Sequence, residues 1–198
     1  MDLKEGIIRE YYSKKIGVTA LNNGAGATTV SAAMAYEISK VRGMTYYVGD
    51  ASKEELGLSK KLEKGHVFEK IYWAREITQN FGSGYIIIDE PKEYEGLDAL
   101  VVVVDPLPGT LLKSLKKYKE LLELERAGKV KVYWLINKMN NGVNLKELER
   151  FLKKQFNYVQ LAISLDEIYR NQYRGHPVYK NEGFTAIRQL AQDVVEVL

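Results

Sequence analysis

The sequence has no cysteine, only two histidines and only four prolines among its 198 residues. Without cysteine there is no disulfide framework, no thiolate zinc site, no iron–sulfur cluster and no catalytic thiol, and a reducing cytoplasmic location is the default expectation. His66 and His176 have no cysteines to join, so they read as surface or loop residues rather than zinc ligands. No apolar run reaches the roughly 20 residues that cross a bilayer, and the start, Met1-Asp2-Leu3-Lys4-Glu5, is too charged for a signal peptide. An excess of one charge is missing too. With 29 basic against 26 acidic side chains the net charge is +3, too near balance to argue for nucleic acid without a patch.

What is present is an ordinary globular composition, 45% hydrophobic and 28% charged, long enough to bury a core without staples. Short β-branched runs alternate with longer amphipathic stretches. Strands are predicted at Ile16 to Leu21, Thr45 to Gly49, Tyr85 to Ile88, Ala99 to Val104, Val130 to Ile136 and Tyr158 to Ile163. Helices are predicted over Thr28 to Val41, about 53–64, about 67–80, Thr110 to Arg126, Asn144 to Gln155 and Phe184 to Val197, with a short helix over 1–14. Runs apolar on consecutive residues belong to strands buried on both faces, and strand–helix repetition gives parallel neighbours joined by crossovers. The expected fold is therefore α/β: one domain over 1–198, a mostly parallel sheet with helices on both faces. Neither an internal repeat nor a Pro/Gly/Ser linker divides it. Ligands of such sheets sit beyond the carboxyl ends of the strands.

Directly after the first strand comes Asn22-Asn23-Gly24-Ala25-Gly26-Ala27-Thr28-Thr29, running into a helix. Glycines let backbone N–H groups turn toward a ligand, and a helix N-terminus carries about half a positive charge, so the loop is built like an anion cradle. The same glycines also suit a plain tight turn with Thr28 or Thr29 as cap. A dinucleotide fingerprint G-x-G-x-x-G finds Gly24, Gly26 and an acid, Asp50, after the second strand, but Thr29 stands at its third glycine. A phosphate loop finds its hydroxyl in Thr28, with Ala27 at its lysine. The choice is tipped by Ile86-Ile87-Ile88-Asp89, a hydrophobic strand closed by an acid, where a carboxylate faces magnesium opposite Thr28.

With these residues the chain resembles the ParA/MinD branch of P-loop ATPases, the SIMIBI type of nucleoside triphosphatase, whose loop reads K-G-G-x-G-K-T-T. Gly24, Gly26, Thr28 and Thr29 match, while Asn22, Asn23 and Ala27 replace the signature lysine, the first glycine and the P-loop lysine. Asp89-Glu90-Pro91 resembles the D-x-P of switch II, and Asp50 lies near the switch I acid that helps position water. Val101 to Pro108 is similar to the following strand and loop, and Ile136-Asn137-Lys138 to the motif whose Asn meets the base. The spelling G-x-G-A-T-T is closest to the CpaE/TadZ-like proteins of pilus assembly. Two departures stand out: Gly49-Asp50-Ala51-Ser52 lacks the second acid of D-x-D, and Ser164 replaces a common proline.

The resemblance implies a nucleotide site of Asn22 to Thr29 with Asn137, magnesium at Thr28 and Asp89, and a catalytic role for Asp50. It implies ATP and Mg2+ as cofactors, if any, a protein partner in pilus, division or partitioning machinery, and a homodimer as an option. Phosphoryl transfer rests on electrostatic stabilisation, so losing two lysines lowers the rate more than the binding. The expectation is a pseudo-ATPase, binding ATP weakly or not at all. Two alternatives remain: a functioning ATPase in which Lys53, Lys138 or a partner's cation substitutes, including ParA-like DNA partitioning, and a Rossmann-type dinucleotide binder. The last helix stops at Val197-Leu198 without the amphipathic tail of MinD-like members, so no direct membrane attachment is expected. Lys113, Lys116, Lys117 and Lys119 suggest nonspecific DNA binding less than a solvated helix face, because Glu120, Glu123 and Glu125 interleave with them.

Overall fold

In the computed structural model, residues 13–49, 66–68, 70–77, 81–174 and 176–198 are described. The runs of consecutive apolar residues form the interior strands of a single sheet. Its strands are β1 (Ser13–Ala20), β2 (Thr45–Val48), β3 (His66–Phe68), β4 (Ile71–Ala74), β5 (Gly84–Asp89), β6 (Ala99–Val104), β7 (Lys131–Met139) and β8 (Tyr158–Leu161). Their order is β3-β4-β2-β5-β1-β6-β7-β8, and every neighbouring pair is parallel except β3 with β4. The helices are α1 (Ala27–Arg42), α2 (Pro108–Lys113), α3 (Leu115–Ala127), α4 (Leu145–Leu152), α5 (Leu165–Tyr173) and α6 (Thr185–Val197).

β6 is buried along its whole length because its alternate residues feed two separate cores. Val101 and Val103 pack under α1 and α6 with Ile16, Val18, Met34 and Ile187. Leu100, Val102 and Val104 pack on the other face against Leu111, Tyr118, Leu121 and Leu148 of α2, α3 and α4. This is the doubly covered sheet that the sequence predicts. β1 sits at its centre, so the loop leaving β1 opens at the switch in strand order where such sheets bind ligands.

Three expectations are corrected. The helix predicted over 1–14 overlaps β1, since Ser13 and Lys14 pair with Gly84 and Tyr85 of β5, and Asp98 accepts from Lys15 N at 2.8 Å; residues 1–12 lie outside the described set. The helix predicted over 67–80 is instead the end of β3 and all of β4, because Ile71 to Ala74 find parallel backbone partners in Thr45 to Val48. The helix predicted over Thr110 to Arg126 is two, α2 starting on Pro108 at its first turn and α3 starting after Ser114. The 53–64 helix falls outside the described residues, as do Asp50 and Lys53.

Candidate functional site

β1 ends at Ala20, and the chain turns through Asn22 to Ala25 before α1 begins. Gly24 and Gly26 take left-handed φ values of 77° and 88°, which a side chain would resist. A Cβ on Gly26 would lie 2.8 Å from Nδ2 of Asn137, so glycine is also required by space. No side chain caps α1, which leaves the N–H groups of its first turn aimed outward from the helix. Asn137 donates from Nδ2 to the carbonyl of Ala25 at 2.8 Å, and the Lys138 ammonium donates to the carbonyl of Gly24. Both side chains leave β7 at a bulge against β8, where Lys138 takes a left-handed φ of 59°. The predicted base-contacting asparagine thus braces the loop from below.

Asp89, the last residue of β5, accepts three hydroxyl bonds of 2.9 Å each. Thr28 and Tyr47 donate to Oδ2, and Ser31 donates to Oδ1. Burial pushes the Asp89 carboxyl above the usual carboxylate range, the three hydroxyls pulling against that rise and the neighbouring Glu90 adding to it. Thr28 and Asp89, predicted as a pair from the sequence, are therefore in contact. One carboxylate beside one hydroxyl at the mouth of a phosphate-type loop fits a hard cation such as Mg2+, which keeps several waters and takes its other ligands from phosphate. Among the described residues no cluster of three or more acidic or histidine side chains offers an all-protein metal site.

The two residues at the lysine positions do not face the loop as donors. Asn22 is buried; its Nδ2 donates to Asp105 O at 3.0 Å and to Thr110 Oγ1 at 2.6 Å, and its Oδ1 accepts from Asp105 N at 3.0 Å. It ties the end of β1 to the end of β6 and to α2. Ala27 contributes a buried methyl to the core under α1. Asn23 and Gly24 are exposed at the rim, and Thr29 faces a cavity of about 390 Å3. That cavity lies beside Gly26 and Asn137 and is walled by Leu161, Ile163, Ile168 and Phe184, the apolar lining and size of a small-molecule site.

The sequence gives no site role to Ser31 or Tyr47, places Glu90 only inside the switch II-like D-x-P, and reads Lys117 as part of a solvated helix face. Ser31 is three residues after Thr28, so helix spacing places both on one face once Thr28 is assigned. Glu90 follows Asp89 with a left-handed φ of 47°; its carboxylate accepts from Thr19 Oγ1 at 2.9 Å and Ala20 N at 2.8 Å. Lys117 turns inward to donate to Ala20 O at 2.6 Å and Thr19 Oγ1 at 3.1 Å, which removes it from the predicted basic helix face. The order of the strands brings Tyr47 and Lys117 to the site, and local sequence does not carry that order.

A glycine loop between the central strand and a helix, with an acid closing the adjacent strand onto the loop's threonine, defines a P-loop nucleoside triphosphatase fold. Within that class the fold is the ParA/MinD type. The chain is similar to a ParA family ATPase from Chlorobium tepidum, with a TM-score of 0.66 and 14% identity over 93% of this chain and 99% of that one. It is similar to the septum site-determining protein MinD from Pyrococcus horikoshii, complexed with Mg-ADP, with a TM-score of 0.63 and 16% identity over 94% and 97% of the two chains. The Aquifex aeolicus MinC:MinD cell division complex gives a TM-score of 0.65 and 14% identity over 92% and 96%. No protein-family model matches the sequence, and no curated protein sequence matches it.

Proposed function

We propose that this chain is a ParA/MinD-like positioning or assembly factor, a pseudo-ATPase that binds ATP weakly and acts chiefly through protein contacts. The observation that carries the reading is the contrast at the loop. Its glycines, Thr28, Asp89 and the neighbouring cavity keep a nucleotide site's arrangement, whereas Asn22 and Ala27 point no cation into it. A lysine ammonium about 4 Å from a phosphate oxygen contributes about 4 kcal/mol at an effective dielectric near 20, before desolvation is subtracted. Its loss leaves backbone N–H groups and the α1 dipole to hold the phosphates. ATP and Mg2+ are the proposed ligands, with Thr28 and Asp89 on the metal and Asp50 positioning water in whatever hydrolysis survives. When bound, the metal would neutralise phosphate charge. A protein partner accords with the likeness to the MinC:MinD complex, and the G-x-G-A-T-T spelling favours an assembly role of the CpaE/TadZ kind.

The test is a calorimetric titration of ATP into the native chain and into Ala27→Lys, with circular dichroism to confirm folding. Weak binding by the native chain that tightens in the variant is the expected result. Equal, tight binding by both would overturn the weak-binding reading. A second reading, a working ATPase with a substitute cation, is favoured by one observation, the Lys138 ammonium on the Gly24 carbonyl. In that case phosphate release is measurable in the native chain and falls at least tenfold in Lys138→Ala.

A further inference from the structure

A turn spelled Asn-Asn-Gly opens the glycine loop, and the same spelling recurs at a second turn after β7. Asn22-Asn23-Gly24-Ala25 and Asn140-Asn141-Gly142-Val143 each close through a bond from the fourth N–H to the first carbonyl, 3.1 Å in both. Asn23 and Asn141 are both exposed, and each precedes a glycine. The first asparagine sets the two turns apart. Asn140 turns its Oδ1 back to accept from Gly142 N at 2.9 Å, whereas Asn22 points its Oδ1 away to accept from Asp105 N at 3.0 Å. Among the described residues, the Gly24 N–H and the Asn23 side chain have no hydrogen-bond partner.

An asparagine before glycine is open to attack by the next backbone nitrogen, because glycine has no Cβ to shield it. The Gly24 nitrogen gives up its proton to solvent and bonds to Asn23 Cγ; the Cγ–Nδ2 bond breaks, and Nδ2 leaves as ammonia. The five-membered succinimide takes up one water at either carbonyl and opens to aspartate or isoaspartate. The sum is amide plus water giving acid plus ammonia, with nothing oxidised or reduced. At Gly142 the attacking nitrogen must first leave its bond to Asn140, and at Gly24 it has none to lose. The product places a carboxylate at the rim of a loop whose means of holding an anion are backbone N–H groups and the α1 dipole. A phosphate then meets a like charge, and isoaspartate also adds a methylene to the backbone of the turn.

We infer that Asn23 is a site of spontaneous deamidation whose product closes the loop to phosphates. The closure rests on the nucleotide-binding reading above; the modification does not. The experiment incubates the native chain at mildly alkaline pH and follows Asn23 and Asn141 by peptide mass spectrometry. Asn23 is expected to convert about two- to tenfold faster than Asn141, the scale of one hydrogen bond on the attacking nitrogen. In calorimetry with Mg2+, folded Asn23→Asp is expected to bind ATP at least about tenfold more weakly than folded Asn23→Gln, which keeps a neutral amide. An Asn23 that stays an amide, or converts no faster than Asn141, overturns the modification. Equal affinities in the two variants overturn the closure. If neither the native chain nor either variant binds ATP, the nucleotide reading fails and the closure with it, while the mass spectra still decide the modification.

Discussion

Single side chains set the loop's shape, and two of them give direct tests. Gly26→Ala would place a methyl against Nδ2 of Asn137 at a φ of 88°, breaking the bond to Ala25 that braces the turn. A loss of about 1–3 kcal/mol in urea denaturation is expected, together with weaker ATP binding. Far from the loop, Tyr158 donates to Asp193 at 2.7 Å; burial first, and then that bond to a carboxylate, hold its phenol well above the usual tyrosine range. The folded state therefore keeps a proton that the unfolded chain releases near pH 10. The stabilisation is fully present below pH 10 and is lost as pH rises beyond it. Tyr158→Phe should flatten the fall in melting temperature above pH 10 while leaving the neutral range less affected. The loop glycines, Thr28 and Asp89 were legible as a site because each sits at a fixed offset from a strand end. Asn22 was not, since an asparagine at a loop start says nothing about whether it turns to a ligand or back into Asp105 and Thr110.

Elements follow their local pattern where that pattern is strong and depart from it where pairing overrides it. Ala99 to Val104 is apolar at every position, and that alone marks an interior strand. Ile71 to Ala74 is an apolar run of only four residues set between charged neighbours, too short to separate strand from helix by pattern, and its pairing with β2 decides for strand. α5 carries a local start signal outside the predicted helices: Ser164 and Glu167 have the spacing of a capping box, and the Glu167 N–H donates to Ser164 Oγ at 3.2 Å. Between elements, the Tyr118 hydroxyl donates to the carbonyl of Leu152, tying α3 to the end of α4. Tyr118→Phe strands that buried carbonyl and should cost about 1–3 kcal/mol, read as a lower urea midpoint with an unchanged slope.

For the whole molecule, ligand linkage and charge distribution make the predictions. ATP at a hundred times its dissociation constant adds about 2.7 kcal/mol to stability, a rise of roughly 5–10 °C in melting temperature for a chain of this size. NAD(P) at millimolar concentration should leave the melting temperature unchanged. With Lys117 turned inward and Lys116 lying 4.0 Å from Glu120, the helix carries no continuous basic stripe. Fluorescence anisotropy should accordingly detect no duplex DNA binding at about 0.15 M salt. The central place of β1 also governs when the protein can form during synthesis. β1 leaves the ribosome first, yet its partners β5 and β6 follow only about 70 to 80 residues later. At about 5–20 residues per second it waits for several seconds with both edges unsatisfied, and a nascent chain ending before Gly84 offers neither edge of β1 a partner.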